Sequence, residues 1–286
     1  MSRIVMVTML AALAGCATAH KGSYEVADAS GKADASLAEQ ADALWEDRGD
    51  TAKLQEALGK YEEAVAADPS DRHSLARLVR GYYFLGDGHK TEMSDKLTDW
   101  DTAITWGKRC LALNDEFVAL IEKGEAEEEA IRAATIDDVP CLYWTASALG
   151  KWSKASGLGK TLKNLPVVKG YQYRVGELDA DYFYGGPDRY WGAVWAAIPS
   201  FAGRDLDKSR KHFDAAIAAY PDHLGNQVLL AEYWAVMAQD KAVFEETLRK
   251  VLASPTDTIP ELVPEQEAEK RKAQSLLDST SDKFAN

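Results

Sequence analysis

The chain is 286 residues long and acidic, with 46 Asp and Glu against 33 Lys and Arg and a formal net charge of -13 at pH 7. A body of this charge repels nucleic acid and anionic lipid, so neither is expected as a direct partner. Beyond the N-terminal segment no apolar run approaches the ~20 residues that a bilayer-spanning helix needs, so no membrane span is predicted.

The N-terminal segment has the order of an export signal. Arg3 precedes an apolar run over residues 4–14, which is too short to span a bilayer as a helix. The run ends in Leu13-Ala14-Gly15-Cys16, which resembles the lipobox of bacterial lipoproteins. The resemblance implies that residues 1–15 are a lipoprotein signal peptide and that Cys16 becomes the lipidated first residue of the mature protein. The alternative is an ordinary secretory signal whose small-residue cleavage region happens to contain a cysteine.

The residue after the cysteine bears on localisation. It is Ala17 and not aspartate. By the sorting rule of many Gram-negative lipoproteins, this predicts the periplasmic side of the outer membrane, with the inner membrane as the alternative. The protein would then contact the membrane through its lipid anchor and not through a basic surface.

Composition separates a tether from a domain. Residues 17–37 contain scarcely a large apolar side chain and therefore cannot bury a core. We predict a flexible tether over residues 16–40. From Leu44 onward the apolar pattern is helical almost throughout, so residues 41–286 are predicted to form the helical domain.

One spacing recurs along this domain. It begins with a small residue, which is followed four positions later by an aromatic residue. A second small residue comes three positions after that, and a residue that stops the helix comes five positions further on. Looser copies of the spacing stop at residues 115 and 180. The two clearest copies are Ala57, Tyr61, Ala64, Pro69 and Ser209, Phe213, Ala216, Pro221. The pattern resembles the second helix of a tetratricopeptide (TPR) repeat, but the stops at 69, 115, 180 and 221 are further apart than the roughly 34 residues of a regular array. We predict an all-α fold of TPR-like antiparallel helix pairs arranged as an irregular α-solenoid.

Two cysteines remain once Cys16 is set aside. Cys110 has a core-facing position near the end of one predicted helix, and Cys141 opens the next major helix. A disulfide between them is one interpretation in an oxidising compartment, and two separate buried thiols are the other.

Signals of catalysis and of cofactor binding are missing from the sequence. No H-E-x-x-H, C-x-x-C or G-x-S-x-G occurs. Gly157-Leu158-Gly159-Lys160-Thr161 resembles the end of a phosphate-binding loop, but Lys154 stands where the first glycine is required. The five histidines are scattered without ligand spacing. We therefore predict no enzymatic activity, no cofactor and no metal site.

An aromatic cluster is the strongest candidate for a binding site. Its members are Tyr182, Phe183, Tyr184, Tyr190, Trp191 and Trp195. This is denser than one short helix needs for packing, so we predict that some of these side chains line a cleft for an apolar or amphipathic ligand.

The order of several motifs resembles the T component of tripartite ATP-independent periplasmic (TRAP) transporters. Gly185-Gly186-Pro187 leads into a helix carrying Trp191 and Trp195, Leu142-Tyr143-Trp144 opens an earlier helix, and Glu232-Tyr233-Trp234 follows later. The resemblance covers most of residues 44 to 284.

This resemblance implies a periplasmic accessory protein that binds the TRAP solute-binding protein and handles a hydrophobic small molecule. A homotrimer with a channel or cleft in each protomer is also consistent with the family. The rival interpretation is a lipid-anchored TPR-like scaffold for envelope protein assembly. A closed apolar tunnel would favour the transport accessory, and an open charged groove would favour the scaffold.

Overall fold

The computed structural model describes residues 24–26, 28–30 and 35–284, and within them it contains helices and no strand. This confirms the all-α prediction. The helices are α1 (Ala35–Trp45), α2 (Thr51–Ala67), α3 (Arg72–Phe84), α4 (Met93–Leu111), α5 (Asp115–Glu122), α6 (Glu127–Ala130), α7 (Val139–Ala155), α8 (Leu158–Leu178), α9 (Tyr182–Ala197), α10 (Leu206–Ala219), α11 (Leu224–Leu229), α12 (Val236–Ala238), α13 (Lys241–Ala253), α14 (Val263–Asp278) and α15 (Thr280–Lys283). Two π-helical turns, Leu85–His89 and Leu230–Ala235, continue α3 and join α11 to α12. No helix in this described part is long and apolar enough to cross a bilayer.

Side-chain caps fix where several helices begin. The carboxylate of Asp50 accepts from the backbone N–H groups of Ala52 and Lys53 at 2.8 and 3.0 Å. Asp205 accepts from the N–H of Lys208 at 2.9 Å. Asp71, Asn114 and Asp240 cap α3, α5 and α13 in the same way. These contacts satisfy N–H groups that the first turn of a helix leaves unpaired.

The repeated small–aromatic–small spacing marks core faces, as predicted. All six of its positions in α2 and α10 are at most 5 % exposed: Ala57, Tyr61, Ala64, Ser209, Phe213 and Ala216. Helix α2 packs on α1 and α3, and α10 packs on α9 and α11. The spacing places these side chains on one buried face because residues three and four positions apart lie on the same side of a helix.

Helix α14, late in the chain, packs back on the start of the domain. It packs on α11 and α13 and also on the π-turn Leu85–His89 that follows α3. Its Glu265 carboxylate accepts from Arg48, after α1, and from Arg80 in α3, at 2.8 and 2.7 Å. The early and late helices are thereby joined, whereas repeats in a solenoid contact only their neighbours. The finer prediction of an irregular TPR-like solenoid is not established by this packing.

The domain begins before the predicted boundary at residue 41. Helix α1 starts at Ala35, and Tyr24 is buried with its hydroxyl 3.1 Å from that of Tyr171. Further along, the N–H of Ser30 donates to the carbonyl of Ala66 at 2.9 Å. The predicted tether over residues 16–40 is therefore too long, because composition gave no sign that a single tyrosine docks in the domain. Cys16 and the predicted signal peptide lie outside the described residues.

Cys110 and Cys141 are joined by a disulfide, with their Cα atoms 6.1 Å apart. Both residues are fully buried. The bond links the end of α4 to the first turn of α7, which are 31 residues apart in sequence. Of the two interpretations that the sequence left open, the structure contains the paired one and not two separate thiols.

The same two helices cross at Gly107, where a methyl group would overlap the side chain of Thr145 in α7. We expect Gly107→Ala to lower the free energy of unfolding by about 1 to 3 kcal/mol, because the packed helices have no room to separate. Urea unfolding followed by circular dichroism measures this.

Gly59→Ala is the matched control for that exchange. It lies in α2 with no side chain or other atom of the described residues near its added methyl group, so it should stabilise the protein by about 0.5 to 1 kcal/mol through helix propensity. Equal effects of the two substitutions would contradict a close α4–α7 crossing.

Candidate functional site

An apolar cavity of about 340 Å³ lies between α7, α8, α9 and the segment around the second π-turn. Apolar and aromatic side chains make up most of its lining. The aliphatic members are Leu158, Leu165, Val168, Ala193, Val194, Ala197, Ile198, Pro199 and Leu229. Its size and lining are those of a small-molecule site.

Helix α9 supplies one wall through a single face. Tyr190, Ala193, Val194 and Ala197 follow the i, i+3, i+4, i+7 spacing that places residues on one side of a helix. The two alanines leave open the space that larger side chains would fill. A face of this kind produces a cavity where a tightly packed core would otherwise form.

The cavity lining is basic although the protein is acidic. Lys151, Lys154 and Arg189 line it, and among the described residues no Asp or Glu does. The Lys151 ammonium pairs with the carboxylate of Asp87 at 2.5 Å, behind the cavity wall. Burial alone would raise the pKa of Asp87, but the charges of Lys151 and Lys272 outweigh burial and hold that pKa below its usual range. The ion pair is therefore charged at neutral pH.

Tyrosine side chains also border this cavity. Tyr83, Tyr143, Tyr190 and Tyr233 all line it. The hydroxyl of Tyr190 is buried and has no hydrogen-bond partner in the described part of the chain. Burial raises the pKa of Tyr190 well above its ordinary value, so the group is a neutral donor. A buried polar atom of this kind normally has a partner.

Arg189 lies where the apolar cavity meets a second, smaller one. Its guanidinium donates to the Tyr143 hydroxyl and to the side-chain carbonyl of Asn226, both at 2.6 Å. It also donates to the main-chain carbonyls of Phe183 and Tyr184, whose φ angles of 49° and 58° are left-handed. Arg189 therefore holds an unfavourable turn in place.

The smaller cavity, of about 70 Å³, has a charged lining. Asp87, Glu265, Glu269 and Lys272 line it, and Tyr83, Tyr143, Arg189 and Leu229 line both cavities. Burial raises the pKa of Glu269, and the neighbouring carboxylates of Asp87 and Glu232 add to that rise against the opposing charge of Lys272. The two cavities together run from an apolar region to a charged one.

The sequence model of the TRAP transporter T-component family matches residues 102–284, which is more than half of the chain. The chain belongs to the TRAP transporter T-component family. The match spans α7 to α9 and the second π-turn, so nearly all of the cavity wall lies within it. No curated protein matches the chain.

Membership of this family confirms the resemblance seen in the sequence and indicates a role as a component of a TRAP transporter. Within the residues that the structure describes, no group of three or more His, Cys, Asp and Glu side chains is placed to hold a metal ion.

The T component brings only part of the predicted aromatic cluster to the cavity. Tyr190 lines it, but Trp191 and Trp195 stack on each other, 6.3 Å between ring centroids, on another side of α9. Positions 191 and 195 are rotated away from the face of Tyr190 and Val194 because each residue turns a helix by about 100°. The two tryptophans therefore do not line this cavity.

Two further predicted residues lie beside the cavities and not in them. Tyr182 packs edge-on against Tyr143, 5.2 Å between centroids. Tyr184 donates its hydroxyl to Glu261 and stacks on His223 at 5.7 Å. Their roles in this T component are packing and the support of the left-handed turn.

Sequence reasoning missed Lys151, Arg189 and Ala193. One signal was available in α7, where Ser147, Gly150, Lys151 and Lys154 share the face that lines the cavity. A lysine among small residues on a helix face turned toward other helices is unusual for a packed core. This lysine becomes informative only once the structure shows that its face of α7 is turned toward other helices.

Proposed function

We propose that this chain is a lipid-anchored periplasmic T component that binds the TRAP solute-binding protein and receives a hydrophobic ligand in the apolar cavity. The family match over residues 102–284 carries this proposal. It supports a role beside a TRAP transporter, and the cavity supports a role in handling the transported molecule or a related one.

The character of the cavity favours this proposal over the scaffold alternative. A scaffold that reads an extended peptide would use polar side chains along an exposed groove. The largely apolar lining between α7, α8 and α9 suits a small apolar body instead.

The anchor and the assembly belong to the same proposal. Lipid on Cys16, followed by Ala17, would hold the protein at the periplasmic side of the outer membrane or, as the alternative, of the inner membrane. The homotrimer is the proposed oligomeric state, by resemblance to the family.

Co-purification tests the proposal. Membranes from cells that express the tagged chain are extracted with detergent, and the TRAP solute-binding protein of the same organism is expected to elute with it. Cys16→Ala should move the chain out of the membrane fraction, because the lipid supplies the membrane affinity. A solute-binding protein that never co-elutes, with or without a cross-linker, would contradict the proposed partner. A Cys16→Ala chain that stays with the membrane would contradict the anchor.

A further inference from the structure

We propose that the ligand of the apolar cavity is an amphipathic anion whose acidic head group binds at Lys151 and Tyr190 and whose apolar tail points to the cavity mouth. This inference rests on the proposed hydrophobic-ligand function and names the chemical class of the ligand. The observations that carry it are the sign of the lining charges, the unused donors and the direction of the cavity.

The sign of the charges selects an anion. The lining contains Lys151, Lys154 and Arg189, and in the described part of the chain no carboxylate faces the cavity. Asp87, which forms an ion pair with Lys151, lies on the side of the smaller cavity. Glu232 also interacts electrostatically with Lys151 and Lys154, but neither carboxylate belongs to the lining of the apolar cavity. A cationic head group would be repelled by these three side chains. An anionic head group would instead offset the desolvation free energy of the partly buried cations.

Lys151 has more N–H donors than hydrogen-bond acceptors among the described residues. An ammonium group has three N–H bonds, and in the described residues its hydrogen-bond acceptor is Asp87 alone. The Lys151 side chain is 17 % exposed although it lies deep between helices, and the accessible part belongs to the cavity lining. An oxyanion there would accept the remaining N–H bonds without displacing Asp87.

Tyr190 supplies a second donor at the same cavity. Its buried hydroxyl has no partner among the described residues, although burial without a hydrogen bond is unfavourable. Because the pKa of Tyr190 is raised by burial, the hydroxyl keeps its proton and can donate it to a head-group oxygen. The ammonium and the hydroxyl both belong to the cavity lining, and in the proposed complex they would donate to the same carboxylate or other small oxyanion.

The aliphatic residues give the tail its direction. Leu158 lines the cavity and is 54 % exposed, so it marks the mouth. Ile198 and Pro199, at the end of α9, line the cavity as well. Lys151 lies at the other end, against Asp87 of the smaller cavity. A hydrocarbon chain can therefore extend from the head-group site past Leu165 and Val194 to the mouth.

Two probes of equal chain length, decanoate and decan-1-ol, test this inference by equilibrium dialysis against the full chain. Decanoate is expected to bind about tenfold or more tightly than the alcohol, since hydrogen bonds to a charged group are worth at least that factor. Tyr190→Phe should weaken decanoate binding several-fold and leave decan-1-ol unchanged. The paired exchange Asp87→Asn with Lys151→Met should remove the preference without leaving an unpaired buried carboxylate.

Three further variants make the result unambiguous. Tyr173→Phe and Lys163→Met make the same chemical changes at exposed positions of α8 and should change neither affinity. Ala193→Trp fills the cavity and should abolish binding of both probes.

The possible failures separate the two proposals. Equal affinities for acid and alcohol, or an acid preference that survives in Tyr190→Phe and in the paired exchange, would overturn the anionic head group and leave the apolar site standing. If neither probe binds the wild type, or if Ala193→Trp binds both normally, the cavity is not a hydrophobic-ligand site and both proposals fail there. Tyr190→Phe removes a hydroxyl with no protein partner in the described residues, so this test does not depend on a variant that misfolds.

Discussion

Glu265→Ala is expected to lower the free energy of unfolding by about 3 to 5 kcal/mol, which is the range for removing one partner of a buried ion pair. Arg48 is 3 % exposed and donates to both carboxylate oxygens of Glu265, at 3.0 and 2.8 Å. Arg80 adds a third bond at 2.7 Å. Without the carboxylate, the two guanidinium groups lose the acceptor that they share, and α14 loses its ion pairs to Arg48 and Arg80. Urea unfolding at pH 7 gives the free energy.

The same site predicts a pH dependence. Burial alone would raise the pKa of Glu265, but Arg80 and Arg48 outweigh it and hold the pKa below its ordinary value. A carboxyl group whose pKa is lower in the folded than in the unfolded state stabilises the folded protein at pH values above its unfolded-state pKa. This stabilisation is lost as the pH falls through the pKa of the folded state. The difference between wild type and Glu265→Ala should therefore shrink below about pH 4.5.

An exposed glutamate on the same helix provides the control. Glu267→Gln should change the free energy of unfolding by no more than about 0.5 kcal/mol, as surface substitutions usually do. If Glu265→Ala unfolds at nearly the wild-type urea concentration, α14 is not held to the early helices by this carboxylate.

Removal of the disulfide should have the second-largest effect. Cys110 and Cys141 close a loop over a sequence separation of 31 residues, for which the loss of loop-closure entropy in the unfolded chain corresponds to about 3 to 4 kcal/mol. We expect the double exchange Cys110→Ala, Cys141→Ala to lower the unfolding free energy by that amount.

Reduction of the wild type serves as the internal comparison. Dithiothreitol should bring the wild-type stability down to that of the double alanine variant and should not affect the variant itself. A wild type that resists urea equally well with and without reductant would mean that the bond does not form or contributes nothing.

The parts of the fold that depend on local pattern could be predicted from the sequence. Tyr61 and Phe213 are buried because their flanking small residues at four and three positions leave room for a neighbouring helix. The turn at Gly185 was also predictable from its composition, and its φ of 74° needs glycine. Periodicity within one helix and the composition of one turn were sufficient for these features.

The cavity could not be predicted in the same way because it depends on which helices meet. Lys151 and Asp87 are 64 positions apart, and Arg48 and Glu265 are 217 apart. No local pattern specifies such pairings. Aromatic density pointed to Trp191 and Trp195, but the small residues opposite them on α9 create the open space. Aromatic density alone therefore does not show which face of a helix lines a cavity.

Tyr24 would limit the distance of the domain from a membrane if Cys16 carries the proposed lipid. Its ring packs edge-on against Phe117, 5.0 Å between centroids, and its hydroxyl meets Tyr171, which donates to Glu127 at 2.7 Å. Cys16 precedes this docked residue by eight positions, a length of chain that reaches about 28 Å at full extension. A lipid on Cys16 would therefore keep the side of the domain at Tyr24 within that height of the bilayer surface and restrict how far the body can turn.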